Sequence, residues 1–288
     1  MQNQKFYRVP RTVDRLDDSF VAQDTNKQSI RRGIEDDAQE TAGGFDNRVV
    51  IAFLPSSSAE DWSFEFEPYI LATTIEGDAG IGRATGVPVD VDLSDILKVL
   101  DMAFMGHFEA HHSNGWGVAL DYGFMDLSAD ISGPLGGILN AKVRQGVLEA
   151  LLVRRVSSGN GHIDYLAGIR WWDNDIDVTV DPAVLPGTAS SSVEEDWVDM
   201  VIGVRWTNLL GDRWRLNLRG DVGGLGLESD FTSTLAVGFH YQMTQSMDLD
   251  LQFKATWVDF ESGTPGQPGY FKYDTVTHGP VVGVIFNF

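Results

Sequence analysis

Hydrophobic and polar positions alternate with a period of two along most of the chain from Trp62 onward. Trp62, Phe64, Phe66, Pro68 and Ile70 alternate with Ser63, Glu65, Glu67 and Tyr69. The pattern recurs at Met102–Glu109, Trp116–Phe124, Lys142–Val156, Ile163–Trp171, Val198–Trp206, Trp214–Val222, Leu235–Tyr241, Met247–Trp257 and Phe271–Phe288. Side chains of a strand point to opposite faces in turn, so each segment predicts a strand whose two faces meet different surroundings. The run from Trp214 is the sharpest. Trp214, Leu216, Leu218 and Val222 oppose Arg213, Arg215, Asn217, Arg219 and Asp221.

The breaks in the pattern predict the connections. Short turns fall near 75–78, 112–115, 157–161, 209–212 and 244–246, and longer ones near 92–100, 128–139, 174–194 and 261–270. The chain is expected to turn near Gly77–Gly80, so that Ile81–Val91 is the second strand. Leu93–Leu100 has helical spacing and predicts a short helix with Ser94 as its N-cap. Eleven strands follow from Trp62, and Arg48–Leu54 (RVVIAFL) supplies a twelfth. Residues 1–46 are polar, with few aromatics and nearly balanced charge, and are expected to be a flexible extension or partial plug. Residues 47–288 are expected to form one closed sheet.

Strands of 10–17 residues exceed the usual 5–6 of soluble sheets. They match tilted strands crossing a hydrocarbon core. Tight turns on one rim and long loops on the other are the asymmetry of a transmembrane barrel. The expected fold is therefore all-β: a closed antiparallel up-and-down transmembrane β-barrel of about twelve strands, its polar face inward. A soluble barrel would give the same alternation with the faces reversed. Charges of both signs on the polar faces, and Trp and Tyr near strand ends of the apolar faces, favour the membrane.

Composition narrows function. The 288 residues include 31 glycines and no cysteine, which excludes disulfides, thiolate metal sites and a cysteine nucleophile. A net charge of −21 argues against nucleic acid as a partner. No apolar run approaches the ~20 residues of a membrane helix. The opening Met1-Gln2-Asn3-Gln4-Lys5 holds no hydrophobic signal segment, so either this numbering begins after cleavage or the chain is not exported.

Several runs together resemble small, mostly uncharacterised bacterial outer-membrane β-barrel proteins over roughly residues 61–288. They are DWSFEFEPY (Asp61–Tyr69), FEAHHSNGWGVALDYGFMDLSAD (Phe108–Asp130), LAGIRWW (Leu166–Trp172), WVDMVIGVRW (Trp197–Trp206), GDVGGLGLESDFT (Gly220–Thr232) and HGPVVGVIFNF (His278–Phe288). The resemblance implies a Gram-negative cell outer-membrane location, with outer-membrane lipids, lipopolysaccharide and the barrel-assembly machinery as partners. Phe286 and Phe288 resemble the terminal assembly signal, which can be captured by edge pairing. The long N-terminal extension and the missing signal segment depart from that group. The resemblance does not fix activity.

The candidate chemistry is the polar lumen. Its acids are Glu109, Asp121, Glu149, Asp199 and Asp221; its bases are Arg155, Arg170, Arg205, Arg215, Arg219 and Lys254. They line either a narrow passive pore or a plugged structural interior, since small barrels fill with side chains. No enzymatic activity and no cofactor are expected from them. A lipid hydrolase is the alternative: His111, Ser113 and Asp126 in HHSN resemble part of the lipid A deacylase arrangement, with His activating Ser. Against it, Asn114-Gly115 is a hairpin signal. His107, Glu109 and His111 share one strand face, but rim polarity explains them without a metal. A soluble secreted ligand-binding β-protein is a third reading. Gly220–Gly226 lacks the Lys and following helix of a phosphate loop. Oligomeric state is not legible.

Overall fold

A computed structural model describes residues 61–132, 138–181 and 189–288. The expected extension at 1–46 and the expected strand Arg48–Leu54 lie outside the described residues. The elements are β1 (Trp62–Leu71), β2 (Thr74–Ile81), β3 (Ala84–Val91), α1 (Leu93–Val99), β4 (Leu100–His112), β5 (Trp116–Ser132), β6 (Ile138–Ser158), β7 (Gly161–Asp181), β8 (Ala189–Leu209), β9 (Trp214–Gly224), β10 (Phe231–Gln242), β11 (Met247–Ser262) and β12 (Phe271–Asn287).

All twelve strands join one antiparallel sheet. The order is β1-β4-β5-β6-β7-β8-β9-β10-β11-β12, and β12 pairs back to β1, which closes a barrel of ten strands. The remaining two, β2 and β3, form a hairpin hung on the outer half of β12. β1 and β2 run along β12 in one continuous register, from Glu65↔Asn287 through Leu71↔Val281 to Thr74↔His278 and Phe271↔Ile81. The chain therefore crosses the wall once from Trp62 to Ile81, with a break at Ala72–Thr73.

This corrects the expected turn at Gly77–Gly80. Both glycines lie inside β2, and the chain reverses at Gly82-Arg83 instead, with Gly82 at φ 56°. Gly77 serves close approach: a Cβ there would lie 2.2 Å from the Asp274 carbonyl oxygen of β12. The short helix forms over 93–99 as its spacing predicts, but Asp92, not Ser94, is the N-cap. Asp92 Oδ1 accepts from the Asp95 amide at 3.0 Å. Bonds from Ser94 and from that amide hold the Asp92 carboxyl below its ordinary range.

The expected long loops at 128–139 and 174–194 are largely strand. β6, β7 and β8 each run 21 residues, against 11 and 12 in β9 and β10. At ~3.3 Å per residue such strands reach roughly 70 Å, about twice what a membrane crossing uses. Their outer parts read as loop because both faces are rich in polar residues there. On β7 the outward residues change from Ile163, Tyr165, Ala167, Ile169 and Trp171 to Asp173, Asp175 and Asp177, while the alternation continues. On β8 they run Trp206, Val204, Ile202, Met200, Val198 and then Asp196 and Glu194.

The tight turns at 113–115, 159–160, 210–213 and 243–246 lie on one rim. The chain terminus shares it, with the Phe288 amide donating to the Phe64 carbonyl at 3.0 Å. Connections on the other rim are longer, and the β9–β10 one turns through Gly224, Leu225 and Gly226, all at positive φ. The glycines of Gly220–Gly226 thus serve partly to end β9, not only to relieve crowding inside.

Candidate functional site

The interior is reached by following the inward parity of each strand. In one row across the wall, His107 of β4 faces Asp121 of β5, then Glu149 of β6, Arg170 of β7 and Asp199 of β8. Sheet register alone therefore lays acid against base at three of these four steps, with Asp121 beside Glu149 the exception. All eleven charged residues expected to line the lumen lie on this inward parity. Arg170, Asp164, Asp199 and Asp250 are fully buried.

Bonds cross the lumen as well as following the wall. Arg170 donates to Glu149 Oε1 at 2.5 Å, to Asp221 Oδ1 at 2.8 Å, and to the Thr232 and Thr234 hydroxyls of β10 at 2.7 and 2.9 Å. Arg219 of β9 reaches Glu149 Oε2 of β6 at 2.6 Å. Arg205 of β8 grips both oxygens of Glu109 on β4 and also Asp164 Oδ2, at 2.7 Å. Arg155 takes Asp164 with two further bonds, at 2.8 and 2.9 Å. Arg215 pairs with Asp248 at 2.6 Å near the short-turn rim. Asp199 is instead held by the Ser229 amide and hydroxyl and by the Trp197 indole. A buried charge is costly unless paired and hydrogen-bonded, and here the wall and the opposite side together supply the partners.

Tyr69, Asp121 and Lys254 form a partition. Tyr69 Oη donates to Asp121 Oδ1 at 2.9 Å, and Lys254 Nζ lies 3.7 Å from the same oxygen and 5.9 Å from the Tyr69 ring. On the short-turn side is a polar cavity of about 80 Å³, bordered by Glu67, His107, Arg205, Arg219 and His240. On the other side is a more apolar cavity of about 90 Å³, bordered by Leu71, Met105, Met125, Val147 and Trp172. Further toward the long-loop rim, Trp172, Trp197, Phe260 and Phe271 fill the interior. Trp197 stacks on Phe260 at 3.9 Å between ring centres and on Trp172 at 5.6 Å.

These inward apolar residues escaped sequence reasoning, which took the inward face as polar throughout. Ala119, Leu151, Val153, Leu166 and Val201 form a second such cluster on the β5–β8 wall. The signal was present: Trp171-Trp172 is a doublet, so one of the two rings had to face inward.

His107, Glu109 and His111 do meet on one inward face. His107 Nε2 lies 2.7 Å from Glu109 Oε1 and His111 Nε2 lies 2.5 Å from Oε2. Arg205 occupies the same carboxylate, and among the described residues no group of three or more His, Cys, Asp or Glu is arranged to hold a metal. His111, Ser113 and Asp126 are not brought together. Ser113 Oγ bonds Asp61 at 3.2 Å, His111 bonds Glu109, and Asp126 sits beside Arg144. His111 registers with Gly117 on β5, nine residues before Asp126, which is roughly 30 Å along the strand.

The exterior completes the picture. Its exposed apolar residues form a belt of about nine residues per strand, such as Ile163–Trp171 and Val198–Trp206, which matches the ~9–11 that cross a bilayer. Above the belt the same face turns acidic. Apolar outside, ion-paired inside and closed on itself, the chain is a transmembrane β-barrel of the outer-membrane type. This overturns the soluble reading, because water would face the belt.

No family model matches the sequence, and no curated protein matches it. Among solved structures the chain is similar to the outer-membrane protease OmpT of Escherichia coli, at 8% identity and TM-score 0.47, over 82% of this chain and 99% of that one. It is also similar to the translocator domain of the autotransporter NalP of Neisseria meningitidis, at 11% identity and TM-score 0.45, over 91% and 95%. The attachment invasion locus protein Ail of Yersinia pestis matches at 10% identity and TM-score 0.35, over 79% and 99%. Membrane placement rests on the belt and the interior, not on these likenesses.

Proposed function

We propose that this protein is a structural outer-membrane barrel with an axially closed lumen, not a passive pore. The observation carrying this reading is the Tyr69–Asp121–Lys254 partition, backed by the Arg170 bonds that join β6, β7, β9 and β10 across the interior. Two small cavities, of about 80 and 90 Å³, lie on either side of the partition. The charged interior then works as bracing. Outer-membrane lipids, with lipopolysaccharide among them, surround the belt. Phe286 and Phe288 serve as the signal read by the barrel-assembly machinery: Phe288 is 76% exposed at the short-turn rim, and Phe286 pairs with Phe66.

The test is planar-bilayer recording of the refolded full chain. No unitary current steps are expected. Because Trp172, Trp197, Phe260 and Phe271 still fill the interior beyond the partition, small resolvable steps are expected only when Tyr69→Ala, Asp121→Ala and Lys254→Ala are combined with Trp197→Ala and Phe260→Ala. Defined unitary steps from the unaltered protein would sink the closed-lumen reading.

A further inference from the structure

The barrel wall has a seam. β1 pairs with β4 from Trp62↔His112 to Pro68↔Gly106, and there the ladder stops. Beyond it, β2 pairs with β3, while the Leu100–Met105 part of β4 pairs with β5 alone. Between them the chain runs as α1, which buries Ile96 and packs on β5. Among the described residues, no ladder joins β3 to β4. An open sheet edge is not tolerated against hydrocarbon unless something covers it. At the start of the seam the Leu71 amide meets the Met105 sulfur at 3.4 Å in place of a carbonyl, and a thioether is a weak acceptor.

The seam opens at the upper edge of the belt. Ile70, 72% exposed, flanks it together with Met102 and Phe104, and Glu76 and Asp78 stand above on β2. Inward of the seam lies the more apolar cavity, bordered by Leu71, Met105, Gly123, Met125, Val147 and Trp172. The partition lies beneath it and the aromatic cluster above. Two residues with a donor lacking a strong acceptor border it, beside Asp121 and Glu149, whose carboxylates are already held by Tyr69, Arg170 and Arg219. The Trp172 indole Nε1 is buried and has no partner, and the Lys254 ammonium has only Asp121, at 3.7 Å. A buried donor left unpaired is costly, so the site favours an occupant that accepts.

We propose that this cavity binds a single-chain fatty-acyl amphiphile that arrives from the membrane through the seam. The oxygen acceptor of its head takes the Trp172 N–H and the Lys254 ammonium. Its chain lies along Leu71, Met105 and Met125 and leaves between β3 and β4 beside Ile70 and Phe104. The cavity is smaller than the ~150 Å³ that takes a benzene, so it holds the head end while the chain trails into the seam. The lateral direction of access rests on the closed lumen proposed above.

The probe is laurate, titrated onto the full chain in phospholipid nanodiscs, with methyl laurate and dodecane as arms that separate a carboxylate, an ester and no acceptor. One saturable site per chain is expected for laurate or methyl laurate, at least tenfold tighter than dodecane. Gly123→Leu should weaken it at least tenfold, because a Cβ at Gly123 would lie in ordinary contact with the Met105 side chain, 4.0 Å from its Cγ, and the rest of the leucine fills the cavity without pressing on backbone. Val147→Phe provides the same obstruction from β6 if Gly123→Leu does not fold, as read by heat-modifiable migration. Trp172→Phe should weaken laurate several-fold and leave dodecane unchanged. Absence of a saturable site, equal binding of dodecane, or indifference to the filled cavity each overturns the proposal. A barrel that conducts ions yet binds laurate would overturn only the closed lumen; a silent barrel that binds nothing would overturn only the amphiphile site.

Discussion

The two halves of the lumen fill the same cylinder with opposite chemistry. Toward the short-turn rim, Arg155, Arg170, Arg205 and Arg219 are interlaced with Glu109, Glu149, Asp164 and Asp221. Toward the long-loop rim, Trp172, Trp197, Phe260 and Phe271 pack as an ordinary hydrophobic core. The ion network lies within the membrane belt, beside the smaller Ala119–Leu151–Val153–Leu166–Val201 cluster, and the large aromatic cluster lies beyond it, the reverse of the naive expectation. Lipid already surrounds the belt, so apolar side chains gain little by turning inward there. Above the belt water returns outside, and the hydrophobic effect again drives apolar groups to the interior.

The comparison breaks most sharply at Arg170. Arg170→Ala leaves Glu149 and Asp221 buried without their main partner and should cost about 3–5 kcal/mol. Denaturant unfolding in detergent micelles measures this, and a loss below about 1 kcal/mol would show that bracing is not what holds that half. Replacing the cluster together, Arg170→Met with Glu149→Leu and Asp221→Leu, should recover most of that loss, since well-packed apolar substitutes for a buried ion cluster are often neutral.

In the other half, Phe260→Ala should cost about 3–5 kcal/mol through a cavity beside Trp197 and Phe271. It should not respond to salt or pH, which separates it from the ion network. Outside, Val237→Arg places a charge within the belt and should cost about 2–4 kcal/mol, read by folding titrations into vesicles. An equal cost at Asp175→Arg on the acidic extension would refute the belt boundary. The smallest effect is expected at Asp92→Ala: faster amide exchange at Asp95 and Ile96, with global unfolding unmoved.

Much of this was legible in the chain. Trp214–Gly224 shows every inward and outward position by parity alone, and the structure keeps that parity through Arg215, Asn217, Arg219 and Asp221. The short turns were also legible, because Asn114-Gly115 and Gly159-Asn160-Gly161 are strong local signals. Less legible were places where local signal and tertiary need disagree. Gly77 and Gly80 look like a turn but lie in β2, where the β12 backbone at Gly77 and the Tyr270 ring at Gly80 come too close for a side chain. Asp173–Asp177 looks like loop but stays strand because β6 and β8 pair with it on both sides.

What the sequence determined by itself is the period, the two faces of each strand and the rim holding the short turns, because these depend on neighbours along the chain. Which strands meet was decided only in three dimensions. The closure of β12 on β1, the switch of partner from β4 to β3 and the seam that results depend on register between segments as far apart as Trp62 and Phe288. So does the union of Arg205 with Glu109 and of Lys254 with Asp121, since no spacing along a strand predicts which charge will face it across the lumen.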